Sequence, residues 1–325
     1  MIKQRDIWQS YSIFQSAANT QSYLKQCYEQ LEYSNASTLS YDNCYAFIYY
    51  LEHASTYYNQ ADKAPLSIKP VLIFYGFTQL LKACLLTIDP DYPSNSSVLA
   101  HGVSTRKRKR KNYDFLQDEV KIQKDGLLPY FSEKMFHVKQ LDGEKYSMSS
   151  LLKLIPEIND LFLYSFGKPT HYHIGSTIDE KLRIPLSIID DYKMTQDRFV
   201  HFMEELVSEK LSFIKYNQRD QLFEIELTKT VHCLDPFPFS IHYEQSSIHI
   251  PTDRSMLSPL HEVIVHYLLL YNLSMISRYE TEWWGELLHT FQSKDFPFIQ
   301  QFLSVTIKKV PYLLFHFLYQ KRGLA

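Results

Sequence analysis

Apolar residues recur at the three- and four-residue spacing of a helix near both ends of the chain, and at every second position in a block between them. Over residues 20–60, Tyr23, Cys27 and Leu31, then Tyr45, Ile48 and Tyr49, keep helical spacing, which predicts two helices with a Ser/Asn/Thr break at 34–43. The segment PVLIFYGFTQLLKACLLTIDP (70–90) opens with a proline suited to a first turn, is apolar nearly all round and stops at Asp89-Pro90. It predicts a central, buried helix, followed by a polar loop at 91–112. Residues Asp114 to Val138 read as short strand or coil, and 147–165 as a helix. Period-two alternation in LRIPLSII (182–189), LSFIKY (211–216), LFEIEL (222–227) and SIHYEQSSIHI (240–250) predicts strands, with the helix TQDRFVHFMEELVSE between the first two. After Pro251 the helical pattern returns at 258–279, 283–292 and 296–320, the last predicted to break at Pro311.

The expected fold is therefore mainly α, a helical bundle built from both chain ends around a small α+β insertion. The boundaries expected are 1–169, carrying a basic loop at 101–125, then 170–252 for the insertion and 253–325 for the helices that complete the bundle.

Composition sharpens this picture. Of 325 residues 45% are apolar, enough for a substantial core, and 25 tyrosines against only 8 glycines point to helices packed through amphipathic rings. Net charge is −2, but removing the six cations Arg106, Lys107, Arg108, Lys109, Arg110 and Lys111 leaves 28 basic against 36 acidic side chains, so positive charge is concentrated in one place. Cys27, Cys44, Cys84 and Cys233 are far apart, with no C-x-x-C pair, as expected of buried thiols in a reducing compartment. No signal-peptide h-region and no uncharged apolar stretch of about 18 residues is present, so the expected location is cytoplasmic, without a membrane anchor.

Most catalytic motifs are missing: there is no G-x-S-x-G, no phosphate-cradling loop and no dinucleotide fingerprint. In HEVIVH, His261 and His266 are five apart and point about 140° away from one another on a helix, which does not make a metal pair. In HYH, His171 and His173 share one face of an extended strand and can begin a metal site, but spacing names no third ligand. Asp190-Asp191 and Glu204-Glu205 diverge as neighbours do and read as solvated. No metal, cofactor or catalytic residue is assigned.

Anion-binding candidates remain. Arg278, ending an apolar helix beside Tyr279, Trp283 and Trp284, has two readings: an aromatic-framed anion site, or a cap on its own helix. The cations 106–111 have three: a solvated loop, a contact to nucleic-acid or nucleotide phosphate, and docking on an acidic protein surface. Lys82 and His101, on and after the buried helix, are placed to meet Arg278 at a common mouth if the two chain ends form one bundle.

Two stretches, FYGFTQLLKACLLTIDPDYPSNSSVLAHGVSTRKRKRKNYDFLQDEVKIQKDGLLPYF (74–131) and HYLLLYNLSMISRYETEWW (266–284), resemble the YaaC-like family of Gram-positive bacteria over nearly the whole chain. That resemblance implies a cytoplasmic protein whose gene often lies near that for IMP dehydrogenase, which makes this enzyme the partner to expect. The apolar helix with LLKA followed by a loop and HG is also similar to HEPN domains, helical bundles of nucleotide-binding, RNA-cleaving and toxin–antitoxin proteins. Catalytic HEPN ribonucleases carry an arginine, four to six residues and a histidine on one helix. Here Arg278 precedes His289 by ten intervening residues, and Arg198 precedes His201 by two, so that pair is expected to be absent. The expected function is non-catalytic: a binding or regulatory protein for an anionic partner or ligand. The alternative is an RNA- or nucleotide-binding HEPN-like module or degenerate ribonuclease.

Overall fold

Helical periodicity becomes helices at both ends of the chain, and period-two alternation becomes small antiparallel sheets. The computed structural model describes residues 7–105, 113–139, 141–207, 211–217, 221–234, 237–257, 260–291 and 293–321; the basic run Arg106 to Lys111 lies outside the described residues. In chain order the helices are α1 (Ile7–Tyr11), α2 (Ala17–Gln30), α3 (Ala36–Lys63), α4 (Lys69–Leu86), α5 (Leu127–Phe136), α6 (Met148–Leu152), α7 (Asn159–Phe166), α8 (Ile188–Tyr192), α9 (Gln196–Val207), α10 (Glu262–Tyr279), α11 (Thr281–Thr290) and α12 (Asp295–Gln320). The strands are β1 (Val103–Thr105), β2 (Glu119–Ile122), β3 (Lys145–Ser147), β4 (His171–Ser176), β5 (Lys181–Pro185), β6 (Leu211–Asn217), β7 (Leu222–Leu227), β8 (Ser240–His242) and β9 (Ser247–Pro251). The protein is mainly α, with a small α+β part between the helical ends. Two compact units divide the chain: 1–148 together with 263–325, and 149–262.

In the first unit α4 is the core. Ile73, Phe74, Phe77, Leu80, Leu81, Cys84 and Leu85 are fully buried, each large apolar side chain contributing about 1.5–3 kcal/mol on burial. The helix is long and apolar enough to cross a membrane, yet 67% of it is buried inside the protein, as in a core helix. It lies close to α3 at Gly76, where an added Cβ would stand 2.7 Å from the ring of the fully buried Tyr58. The many tyrosines act as staples. Tyr11 donates its hydroxyl to the Pro311 carbonyl (2.9 Å), Tyr23 to Leu318 (2.8 Å) and Tyr28 to Leu86 (2.9 Å), tying α1 and α2 to α12 and α4. Each such bond is worth about 1 kcal/mol net. A three-stranded antiparallel sheet, ordered β1-β2-β3, completes the unit, with Val120 and Ile122 buried on one face and Lys121 exposed on the other.

The second unit holds two three-stranded antiparallel sheets, ordered β4-β9-β8 and β5-β7-β6. Helix α9 packs Phe199 on Phe223 of β7 with ring centroids 4.8 Å apart, and α8 donates the Tyr192 hydroxyl to the Pro251 carbonyl at the end of β9 (2.8 Å).

Several boundaries differ from the pattern reading. The break predicted at 34–43 shrinks because α3 already begins at Ala36: Ala36 and Ser40 are buried, and Ser40 returns its hydroxyl to the Ser37 carbonyl (2.9 Å) instead of ending the helix. The helix predicted over 147–165 divides into α6 and α7, since Pro156 drives Ile155 to extended backbone (φ −102, ψ 110). Within residues 114–138 the short strand is β2, as read, while the remainder includes the helix α5. The strand predicted at 182–189 ends at Pro185 and gives way to α8, and that at 240–250 is a hairpin, β8 and β9. Helix α12 runs through Pro311 without interruption. The proline removes one intrahelical bond, while Val310, Leu313 and Leu314 around it are buried and its own carbonyl is held by Tyr11.

Candidate functional site

The site is assembled from helical stripes in the first unit. On α3, Asn43, Tyr50 and Tyr57 are seven apart, two turns each, and fall on one half-buried line. On α4, Tyr75, Gln79 and Lys82 do the same at spacings of four and three. Tyr57 stacks on Tyr75 (6.0 Å, 28°), and the Lys82 ammonium stands 5.7 Å over the Tyr50 ring. On α10 the line is Tyr267, Tyr271, Ser274 and Arg278.

His101 joins α4 to α10. Its carbonyl accepts from the Tyr267 hydroxyl (3.1 Å) and the Leu128 amide (3.2 Å), while its ring lies edge-on to Phe74 (5.1 Å) and Tyr271 (5.7 Å). The next residue must be small and left-handed: Gly102 has φ +74, and a Cβ on Gly126 opposite would be 2.3 Å from its Cα. The HG pair therefore sets the loop against α5, and His101 is positioned by backbone geometry.

Electrostatically the cluster is cationic. Burial, then Arg278, then Lys82, hold the His101 pKa below the usual imidazole value, so both charges acting on it are positive. Burial likewise lowers the Lys82 pKa. Among the described residues no carboxylate is within 4.0 Å of either Lys82 or Arg278. Asp89, buried nearby on the chain, is already engaged by Lys134 (3.5 Å) and by the Tyr130 hydroxyl. Two buried polar atoms, Gln79 Oε1 and the Tyr92 hydroxyl, have no hydrogen-bond partner among the described residues. Gln79 sits between Tyr75 and Lys82 on their stripe, and Tyr92 feels the neighbouring Tyr50 hydroxyl. Buried polar groups seldom stay unsatisfied.

Arg278 caps its own helix and is also framed by aromatic rings. Nε donates to the Ser274 carbonyl of its own helix (2.9 Å), as a cap does, while one terminal nitrogen donates to the Tyr75 hydroxyl (3.3 Å) and another meets Met275 Sδ (3.2 Å). Its guanidinium carbon lies 5.3 Å from the Tyr279 ring centroid and 6.0 Å from that of Tyr75. Of the residues singled out in the sequence, Lys82, His101, Arg278 and Tyr279 are thus brought together. The Trp283 ring packs against Tyr113 (4.4 Å) and Trp284 (6.4 Å). The cations 106–111 lie outside the described residues. Tyr50, Tyr75, Gln79, Tyr92 and Tyr271 were not singled out, although the seven-residue tyrosine repeat on α3 was a signal for the first of them.

The remaining candidates separate. His266 bonds Thr306 Oγ1 (2.9 Å) and stacks on Phe302, while His261 meets the Leu234 carbonyl (2.9 Å), so each has a structural partner. One correction concerns the ribonuclease spacing: Arg254 and His261 do have six residues between them. They do not share a helix, because Arg254 lies in a short 3-10 turn with its guanidinium over Phe202 (5.4 Å) and α10 begins only at Glu262.

Fold and site together define a mainly α protein whose first unit frames a cationic cluster with tyrosines. The chain belongs to the YaaC-like family: the model of that family, described as YaaC-like Protein, matches residues 12–318. No curated protein and no solved structure matches the chain.

Proposed function

We propose that the protein is a non-catalytic binding protein for a small anion bearing a flat ring, of the nucleotide class, held at Lys82, His101 and Arg278. The observation that carries this is two half-buried cations, Lys82 and Arg278, that both act on His101, have no carboxylate within 4.0 Å among the described residues, and are framed by Tyr50, Tyr75 and Tyr279. Cations in a partly dehydrated setting attract phosphate more strongly than in water, and tyrosine faces accept a planar base. Gln79 Oε1 and the Tyr92 hydroxyl supply hydrogen-bonding groups for the ring. The arrangement lacks an identified nucleophile and general base pair, which favours capture over turnover.

The link that the family resemblance draws to IMP dehydrogenase directs the choice of probe to purine nucleoside 5′-monophosphates. Calorimetric titration of the full chain is expected to show saturable binding that the parent nucleoside and inorganic phosphate, each alone, reproduce only weakly. Replacing Lys82 or Arg278 by Gln is expected to weaken binding roughly tenfold or more, since a charge-assisted hydrogen bond is worth about 1.5–3 kcal/mol. Equal affinity in both variants, or no saturable heat with any monophosphate, overturns the reading.

A further inference from the structure

The sheet β1-β2-β3 of the first unit sets two lysines directly against each other. In the antiparallel register Ser104 of β1 stands opposite Lys121 of β2, and Lys121 opposite Lys145 of β3, so the three side chains form one row across the sheet. Paired residues share a face. Val120 and Ile122 fill the core side, which leaves Ser104, Lys121 and Lys145 on the other, with both lysines exposed. Directly opposed residues have Cβ atoms about 4.5–5.5 Å apart, a distance at which like charges destabilise a sheet. An anion held between the two ammonium groups removes that cost.

The row opens on a cavity. A cleft of about 210 Å³ is lined by Ser104, Thr105, Glu119, Val120, Lys121 and Lys145. Among the described residues no carboxylate comes within 4.0 Å of either ammonium, not even that of Glu119, half-buried and two residues from Lys121 on the same strand. Gln123 orients the serine: its Nε2 donates to Ser104 Oγ (2.7 Å) and to the Lys121 carbonyl (3.4 Å), and the second contact identifies it as the nitrogen. Ser104 Oγ is thus the acceptor in that bond, and its own proton is available to donate. Two ammonium groups and a hydroxyl donor suit the oxygens of a phosphate, whereas the Glu119 carboxylate is an acceptor and needs a donor on the ligand.

We propose that this cleft is a second anion site, taking a small phosphomonoester that carries hydroxyl groups, of the sugar-phosphate class. Lys121, Lys145 and Ser104 hold the phosphate, and Glu119 accepts from a sugar hydroxyl. The same carboxylate disfavours a continuous polyanion, in which a further phosphate would be set against it. The cleft uses other residues than Lys82, His101 and Arg278, so it stands independently of the nucleotide reading.

The test is calorimetric titration of the full chain with ribose 5-phosphate, ribose and inorganic phosphate in turn. Ribose 5-phosphate should bind saturably and more tightly than either of the others. Lys121→Gln and Lys145→Gln should each weaken it about tenfold, and Ser104→Ala about 2–10-fold. Glu119→Ala should narrow the preference for ribose 5-phosphate over inorganic phosphate, because it removes the group that reads the hydroxyl and repels the anion. Lys63→Gln, at an exposed position ending α3, controls for net charge and should change nothing. Lys145→Glu sets opposite charges in register, so it should abolish binding while raising the midpoint of thermal unfolding, a combination that misfolding does not produce. The proposal is overturned if ribose 5-phosphate shows no saturable binding, if Lys121→Gln and Lys145→Gln both leave its affinity intact, or if inorganic phosphate binds equally well. A single-stranded RNA that binds the cleft more tightly, with the steep salt dependence of counterion release, also overturns it.

Discussion

In the proposed function, Lys82 serves binding at the expense of stability. Burial lowers its pKa, and among the described residues no acid offsets the cost of keeping it charged. Lys82→Met is therefore expected to raise the midpoint of thermal unfolding by up to a few degrees while reducing anion binding; a lower midpoint contradicts the assignment. His101 gives the corresponding pH dependence. Its folded pKa lies below 6.5, the ordinary value, so the unfolded chain binds more protons in the interval between the two. Stability contributed at this residue is complete above about pH 6.5 and is lost as pH falls through that interval. Denaturant midpoints measured from pH 7.5 down to 5 should fall more for wild type than for His101→Gln, and an identical decline in both would contradict the sign. Arg278 stood out in the sequence because it ends an apolar helix beside aromatics, and His101 because its HG pair follows another. Tyr75, Gln79 and Tyr271 did not, since a lone polar or aromatic residue on an amphipathic helix looks the same whether it borders core or ligand.

At the level of elements, the site depends on how the loop after α4 is held. Gly126 has φ +132, and an added Cβ would fall 2.3 Å from Gly102. Gly126→Ala should destabilise the protein by about 2–4 kcal/mol, from strained backbone plus a clash, and displace His101. The gentler Tyr267→Phe removes only the hydroxyl that holds the His101 carbonyl (3.1 Å) and should cost about 1 kcal/mol. Both are read by urea unfolding, and a neutral Gly126→Ala would refute the account of the turn. The long apolar helices α4 and α10 were legible because hydrophobic periodicity and end signals agree: Pro70 opens one, and Arg278 lies in the last turn of the other. Where local and tertiary preferences conflict, the pattern misled. Pro156 broke a predicted helix, whereas Pro311, with the same ring, was absorbed by packing and by Tyr11. The HYH strand was visible, but the β9 residue opposite His173, His249, is 76 residues away, and only strand pairing brings them together.

For the whole molecule, a family member with a localised cationic cluster and net charge of −2 is better suited to a compact anion than to a polyanion spread over its surface. Binding of a nucleoside monophosphate should accordingly weaken only modestly with salt, whereas a nucleic acid would show the steep log–log slope of counterion release. The most direct measurement is a titration of the His101 ring followed by NMR, without and with a saturating purine nucleoside 5′-monophosphate. In the free protein its pKa should be below 6.5, held down by burial, Arg278 and Lys82. A bound phosphate stabilises the imidazolium, so the pKa should rise on saturation, and the rise should be reduced in Arg278→Gln. A His101 pKa that does not move while the monophosphate demonstrably binds would place the ligand elsewhere and contradict the account.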